Sequence, residues 1–137
     1  MIRRATTLRH VLVAGLGAAK AVVTPQQMEN GVAVVDLGGT TTNLVVFEEG
    51  DLQHVSVLPM GSINITNDLA IGLRTDLDIA EAVKLDHAAA LPVSGKDKAK
   101  NIQHKTGKET VEFSIKDIDM IVGARLDEIF ELLDKEL

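Results

Sequence analysis

The fold is decided by residues 32–47, which read VAVVDLGGTTTNLVVF. Residues 32–37 are apolar except for Asp36 and are typical of a strand buried on both faces, and a second apolar run occupies residues 44–47. A glycine-containing turn at residues 48–51 leads to a third strand at residues 55–58. Because short turns join antiparallel neighbours, the segment predicts a three-stranded antiparallel meander.

Length and composition describe a globular chain the size of a single domain. Apolar residues make up 45% of its 137 residues, charged residues make up 25%, and there is no cysteine. The lack of cysteine excludes disulfides, thiol nucleophiles and zinc thiolates, and it fits a cytosolic protein. A net charge of −6 and only 2% aromatic residues argue against nucleic-acid binding, which needs clustered cations and stacking platforms. No apolar stretch reaches the roughly 20 residues that span a bilayer.

Periodicity and turn residues predict the remaining elements. A helix rich in small apolar residues at 7–23 precedes a short polar segment that begins at Thr24 and Pro25. Residues 92–108 are polar and rich in lysine, which predicts a solvated loop. The pattern also predicts helices at 65–73, 76–90 and 116–137, a strand at 111–115, and a cap formed by Ser114 and Asp117 for the last helix.

The turn at residues 36–43, DLGGTTTN, has the composition of a phosphate-binding loop. Glycines let the backbone approach a ligand closely with amide groups directed at phosphate oxygens, and threonine hydroxyls add donors. The carboxylate of Asp36 is set back, where it can hold a magnesium ion through water. The alternative is an ordinary hairpin whose glycines serve only the turn. The candidate contacts to a nucleotide's terminal phosphates are Gly38, Gly39, Thr40, Thr41 and Thr42.

This strand–turn–strand arrangement resembles the second lobe of the actin-like ATPases, in which a DxGGGT turn forms one of two phosphate loops. Within that superfamily the chain most resembles the FtsA family of bacterial cell-division proteins, and the pilus-assembly family PilM is the alternative. The segment ITNDLAIGL at residues 65–73 is the most specific part of the resemblance. The other matching parts are AAKAVVT at 18–24, GVAVVDLGG at 31–39, His54, PMG at 59–61, AEAVK at 80–84 and residues 125–133.

The resemblance implies an α/β fold of the actin-like, ribonuclease H-like kind. Residues 1–30 would form the inter-lobe helix and its connection. Residues 31–75 would form the core subdomain that carries the phosphate loop, called 2A in the family. Residues 76–137 would form part of the small subdomain 2B.

The resemblance also implies ATP and Mg²⁺ as ligands. The aspartate that matches Asp36 acts on hydrated magnesium, and the positions matching residues 38–41 wrap the β- and γ-phosphates. Thr40 stands where the family usually has a third glycine, a change that is tolerated if the backbone there does not need a positive φ. Asn43 stands where an aspartate is usual, so slow or absent hydrolysis is expected.

Glu81 and Lys84 lie three residues apart and therefore share a helix face. In the actin-like relatives a Glu-x-x-Lys on this helix approaches the ribose and base of the nucleotide. The alternative for Glu81 and Lys84 is a solvated ion pair on the helix surface. Asp68 is expected to cap or orient its own helix rather than to bind magnesium. The four histidines lack the spacing of a metal site.

The family resemblance implies a cytoplasmic protein at the inner face of the cell membrane that anchors the division-ring protein FtsZ. The FtsZ C-terminal peptide would bind the complete 2B subdomain, and copies would associate into actin-like filaments. Membrane contact would come from a C-terminal helix that this sequence does not contain. Because one loop of a two-lobed clamp cannot exclude water, residues 1–137 are expected to lack ATPase activity on their own. The alternatives are a PilM-like pilus assembly protein and an interaction domain that no longer binds nucleotide.

Overall fold

The computed structural model describes residues 14–91, 100–106 and 109–137. Five helices and five strands occupy these ranges, and their contacts divide the chain into two units. The elements are α1 (Ala14–Val22), α2 (Pro25–Asn30), β1 (Val32–Leu37), β2 (Thr42–Glu48), β3 (Asp51–Leu58), α3 (Ser62–Leu73), α4 (Leu77–His87), β4 (Asn101–Thr106), β5 (Glu109–Ser114) and α5 (Ile115–Asp134).

The first unit comprises residues 1–36 and 43–57. Its sheet has the strand order β1-β2-β3, which confirms the predicted meander. The expectation that β1 is buried on both faces is wrong, because exposed residues alternate with half-buried ones along the strand. Glu49 and Gly50 both have positive φ, 53° and 80°, as a tight hairpin turn requires. Val45 and Phe47 of β2 pack with Ala19 of α1 to form a small hydrophobic core.

Helix α2 occupies the short polar segment after Thr24, for which the sequence pattern predicts no helix. The Thr24 hydroxyl accepts a hydrogen bond from the Gln27 amide, and the Gln27 side chain accepts one from the Thr24 amide. This reciprocal pair is a capping box, and Pro25 occupies the first helical position, where it costs no hydrogen bond. Residues 7–13 of the predicted first helix lie outside the described residues.

The second unit comprises residues 37–42 and 58–137. Helix α3 packs against both α4 and α5, and the apolar positions of all three helices meet in one core. The fully buried residues Leu69, Ala80, Val83 and Ile118 belong to this core.

Strand β4 corrects the prediction of a solvated loop over residues 92–108. Residues 101–106 pair antiparallel with β5, with Ile102 opposite the buried Phe113. Half-buried Ile102 and His104 alternate with exposed Asn101 and Gln103, which is the pattern of a strand with one covered face. The surrounding lysines hide this short alternation in the sequence, and residues 92–99 and 107–108 lie outside the described part.

Helix α5 confirms the long closing helix, but its predicted cap is wrong. Ser114 occupies the N-cap position without a side-chain hydrogen bond to the helix, and Asp117 lies in the first turn. An acidic residue in the first turn still interacts favourably with the positive end of the helix dipole. None of the helices in the described ranges is both long and apolar enough to cross a membrane.

Candidate functional site

The phosphate-loop candidate is a tight turn that lies within the second unit. The Gly38 amide donates to the Thr41 carbonyl at 2.9 Å and closes the turn. A Cβ on Gly38 would lie 2.9 Å from that same carbonyl oxygen, closer than real contacts allow. A side chain at this position would therefore open the turn.

The turn is anchored on the first residues of α3. The amides of Ser62 and Ile63 donate to the carbonyls of Gly38 and Gly39, each at 2.9 Å. The first amides of a helix have no acceptor within the helix, so the loop carbonyls accept the hydrogen bonds of these amides. A Cβ on Gly61 would lie 2.6 Å from both loop carbonyls. Glycine at position 61 is thus what allows the loop and the helix to meet.

The tip of the loop is open. Gly39 and Thr40 are exposed, and a Cβ on Gly39 would meet no atom within 4 Å. Neither residue has a positive φ, so Thr40 is unstrained where the family usually has glycine. Among the described residues, no hydrogen bond occupies the amides of Gly39 and Thr40. Two unpaired amides on a rigid, exposed turn can donate to an anion.

Thr42 anchors the other end of the loop. It is fully buried, and its hydroxyl donates to the Met60 carbonyl at 2.8 Å. Its single hydroxyl proton is therefore already used within the protein. The structure places Thr42 beneath the loop, whereas Gly39 and Thr40 are exposed at its tip.

Asp36 is held by its neighbour on the sheet of the first unit. The Asn43 side-chain amide donates to Asp36 Oδ2 at 3.3 Å, and Asn43 itself is only 7% exposed. A Cβ on Gly15 would lie 2.6 Å from the Asn43 Cβ, so α1 packs tightly against this amide. With an aspartate at position 43, two carboxylates would face each other. The amide instead donates to the Asp36 carboxylate and fixes its orientation.

The donor set suits a hydrated magnesium ion rather than an all-protein cage. Within residues 14–91, 100–106 and 109–137, no group of three or more His, Cys, Asp or Glu side chains could hold a metal ion. Magnesium keeps several waters and commonly needs only one or two carboxylates beside substrate phosphates. The single carboxylate of Asp36 fits that requirement.

Glu81 and Lys84 form the predicted pair, and two residues of α3 join it. Lys84 Nζ lies 2.7 Å from Glu81 Oε2 and donates to Thr66 Oγ1 at 2.9 Å and to the Ser62 carbonyl at 3.4 Å. The Thr66 hydroxyl donates to Glu81 Oε2 at 2.5 Å. Hydrogen bonds from Lys84 and from Thr66 hold the pKa of Glu81 below its ordinary value.

Asp68 does not cap its helix, so the capping part of the expectation for this residue is wrong. It lies in the middle of α3, and its two oxygens accept from Arg125 Nε at 2.6 Å and Nη2 at 3.0 Å. Arg125 also contacts Glu128 at 2.5 Å, and the hydrogen bond with Asp68 raises the pKa of Arg125. No local sequence pattern indicates this pair of hydrogen bonds, because the two partners lie 57 residues apart.

Comparison with known proteins identifies the family. The family model described as "Cell division protein FtsA" matches residues 33–137. The chain belongs to the FtsA family. Membership in FtsA decides between the two families that residues 65–73 leave open.

Curated FtsA proteins are similar over most of the chain. The Pseudomonas aeruginosa protein is 34% identical over 128 residues, which cover 93% of this chain and 31% of the relative. The Bacillus subtilis protein is 36% identical over 124 residues, covering 89% of this chain and 28% of the relative. The chain thus spans about a third of the length of these FtsA relatives.

Solved structures show the same fold. MreB5 of Spiroplasma citri, in a crystal structure bound to ADP, has a TM-score of 0.68 and 17% identity, covering 90% of this chain and 40% of that one. The structure of the same protein bound to AMPPNP gives the same TM-score. The FtsA-family chain therefore has the predicted α/β actin-like fold.

Proposed function

We propose that this FtsA-family chain contributes one phosphate-binding face of an ATP site. The observation that supports the proposal is the loop tip, where Gly39 and Thr40 are exposed and their amides have no hydrogen-bond partner among the described residues. Hydrogen bonds hold the turn at both ends. A pre-formed donor pair of this kind binds an anion without a further ordering cost. Gly38 and Thr41 shape the turn, and Thr42 anchors it.

We assign to Asp36 the binding of the magnesium ion through water. Its carboxylate, oriented by Asn43, would hold water molecules of a magnesium ion that accompanies the phosphates. Bound magnesium would neutralise phosphate charge. The MreB5 structures with ADP and AMPPNP support a nucleotide as the ligand, because that protein shares the fold.

Glu81 is assigned the ribose side of the nucleotide. Its side chain is 44% exposed, whereas that of Lys84 is 13% exposed. Only Oε2 of Glu81 is engaged by Lys84 and Thr66. A carboxylate oxygen that still accepts hydrogen bonds suits the hydroxyls of a sugar.

Family membership supports, as part of the same proposal, a wider role for the protein. We assign the complete protein to cytoplasmic filaments that anchor FtsZ at the inner face of the membrane, with the FtsZ C-terminal peptide bound by subdomain 2B. Residues 76–137 would supply part of 2B, and residues 31–75 the phosphate-loop core. Residues 1–137 alone are expected to bind nucleotide without turnover and to capture the FtsZ peptide weakly. A pulldown that shows tight capture would contradict the last expectation.

The test is a titration of the 137-residue chain with a fluorescent ATP analogue in the presence and absence of Mg²⁺. We expect saturable binding that magnesium strengthens, and we expect Asp36→Ala to remove the magnesium effect. The control is Lys20→Ala, an exposed position on α1. No binding by the wild-type chain would favour an interaction domain without nucleotide. Binding that Asp36→Ala leaves unchanged would refute the role of Asp36.

A further inference from the structure

Gly15 is the point at which helix α1 meets the side chain of Asn43. Both residues are buried, and both lie in the first unit together with Asp36. A Cβ on Gly15 would lie 2.6 Å from Asn43 Cβ and 3.2 Å from Asn43 Cγ, and the first of these distances is closer than real contacts allow. Only a residue without a side chain therefore lets α1 approach β2 at this position.

The side chain of Asn43 is held between α1 and the carboxylate of Asp36. Its Cβ and Cγ face Gly15, and its amide nitrogen donates to Asp36 Oδ2 at 3.3 Å. A carboxylate only accepts hydrogen bonds, so Asn43 must present its NH2 group to Asp36 rather than its oxygen. The bond is longer than the usual N–H···O distance of about 2.9–3.0 Å. A small displacement of Asn43 would therefore break it.

Asn43 occupies one oxygen of Asp36 and leaves the other available. Among the described residues, the Asp36 side chain accepts no hydrogen bond besides the one at Oδ2. Oδ1 can thus accept a hydrogen bond from a water molecule of hydrated magnesium. The bond at Oδ2 fixes the rotation of the carboxylate, and with it the position of Oδ1.

We propose that Gly15 is a positioning residue of the magnesium site, which acts through Asn43 and has no contact with the ion. The packing of α1 on Asn43 keeps the amide on Oδ2, and the amide keeps Oδ1 in place for a magnesium-bound water. The inference rests on the proposed function, because it concerns the carboxylate assigned to hydrated magnesium. A side chain at position 15 should weaken the effect of magnesium on nucleotide binding and leave magnesium-free binding unchanged.

The first experiment needs no ligand, so it distinguishes failure of the inference from failure of the proposed function. In a ¹⁵N-labelled chain, exchange of the Asn43 side-chain amide protons with water reports whether this amide stays on Asp36. We expect Gly15→Ala to speed the exchange about three- to tenfold, the factor for one lost hydrogen bond. Unchanged exchange in Gly15→Ala would overturn the inference even if the wild-type chain binds ATP.

Gly17→Ala is the matched control. It adds the same methyl group to the same helix and gains the same helix propensity, but its Cβ would meet no atom within 4 Å. Exchange at Asn43 should therefore stay as in the wild-type chain. Equal acceleration in Gly15→Ala and Gly17→Ala would overturn the inference, because the contact with Asn43 would then not matter.

The second experiment measures the affinity of the fluorescent ATP analogue with and without Mg²⁺. The ratio of the two affinities should fall about three- to tenfold in Gly15→Ala and in Asn43→Gly, and it should not change in Gly17→Ala. Equal weakening with and without Mg²⁺ in Gly15→Ala would overturn the inference, since it would indicate general damage to the fold. A wild-type chain on which Mg²⁺ has no effect, together with faster exchange at Asn43 in Gly15→Ala, would support the link from α1 to Asp36 and refute only the proposed function.

The double variant Gly15→Ala/Asn43→Gly tests whether Gly15 acts through Asn43. Asn43→Gly removes both the amide and the two carbon atoms that the new methyl group would meet. The magnesium effect in the double variant should therefore equal that in Asn43→Gly alone, whereas a further loss would overturn the inference. If Gly15→Ala alone does not fold, Asn43→Gly should restore folding, and failure to restore it would also overturn the inference.

Discussion

Substitution of Gly61 by alanine should detach the phosphate loop from α3. The new methyl group would lie 2.6 Å from the carbonyl oxygens of both Gly38 and Gly39. Backbone atoms cannot swing aside as a side chain can, so either the clash persists or the two hydrogen bonds from Ser62 and Ile63 break. Overpacking costs about 1–3 kcal/mol. Losing two hydrogen bonds costs about 0.5–1.5 kcal/mol each, so both routes predict about 1–3 kcal/mol.

Gly39→Ala is the matched control, since it adds the same methyl group to the same loop. That methyl would meet no atom within 4 Å, and the φ of Gly39 is not positive. Its effect on the free energy of unfolding should stay within about 0.5 kcal/mol. The assay is thermal and urea unfolding followed by circular dichroism. Gly61→Ala should lower Tm by about 3–10 °C. Equal effects of the two variants would refute the reasoning, because they would show that the loop does not rest on Gly61.

Three further predictions concern stability. Leu69→Ala, which truncates a fully buried side chain, should lower the free energy of unfolding in urea by about 2–5 kcal/mol. Asp68→Asn breaks the fork to Arg125 and should cost about 1.5–3 kcal/mol. Glu128→Gln, at a side chain that is 50% exposed, should lower the free energy of unfolding by less than about 1 kcal/mol. Similar losses of stability in Asp68→Asn and Glu128→Gln would contradict the contacts assigned to Arg125. The lowered pKa of Glu81 stabilises the fold above the ordinary carboxyl pKa of about 4.3, and this contribution is lost as pH falls through the lowered value. Glu81→Gln should therefore make the urea concentration at half-unfolding depend less on pH at acidic pH. An unchanged pH dependence would count against the hydrogen bonds of Glu81 with Lys84 and Thr66.

Local patterns predict the strands well because they depend on neighbours in sequence. The apolar run of β1 marks the bounds of that strand, and the turn at Gly50 sets the hairpin. Spacing alone also places Glu81 and Lys84 on one helix face. The sequence pattern does not predict the short strand β4, because lysines surround its two covered positions.

Contacts between distant residues escape sequence reasoning for a physical reason. The fork between Asp68 and Arg125 depends on how α3 packs on α5, which no local pattern encodes. The anchoring of the loop on α3 likewise depends on a close approach at Gly61. The sequence shows that glycine only as a break between a strand and a helix. Its steric role emerges only when the two backbones are seen together.

The central claim is that phosphates bind at the tip of the loop, and amide chemical shifts test it most directly. In a ¹⁵N-labelled 137-residue chain, MgATP should shift the amide resonances of Gly39 and Thr40 most strongly, and magnesium tripolyphosphate should shift the same two. The amide resonances of β4 and β5 should not shift. Saturating MgATP that leaves Gly39 and Thr40 unmoved, or that shifts residues elsewhere instead, would contradict the account.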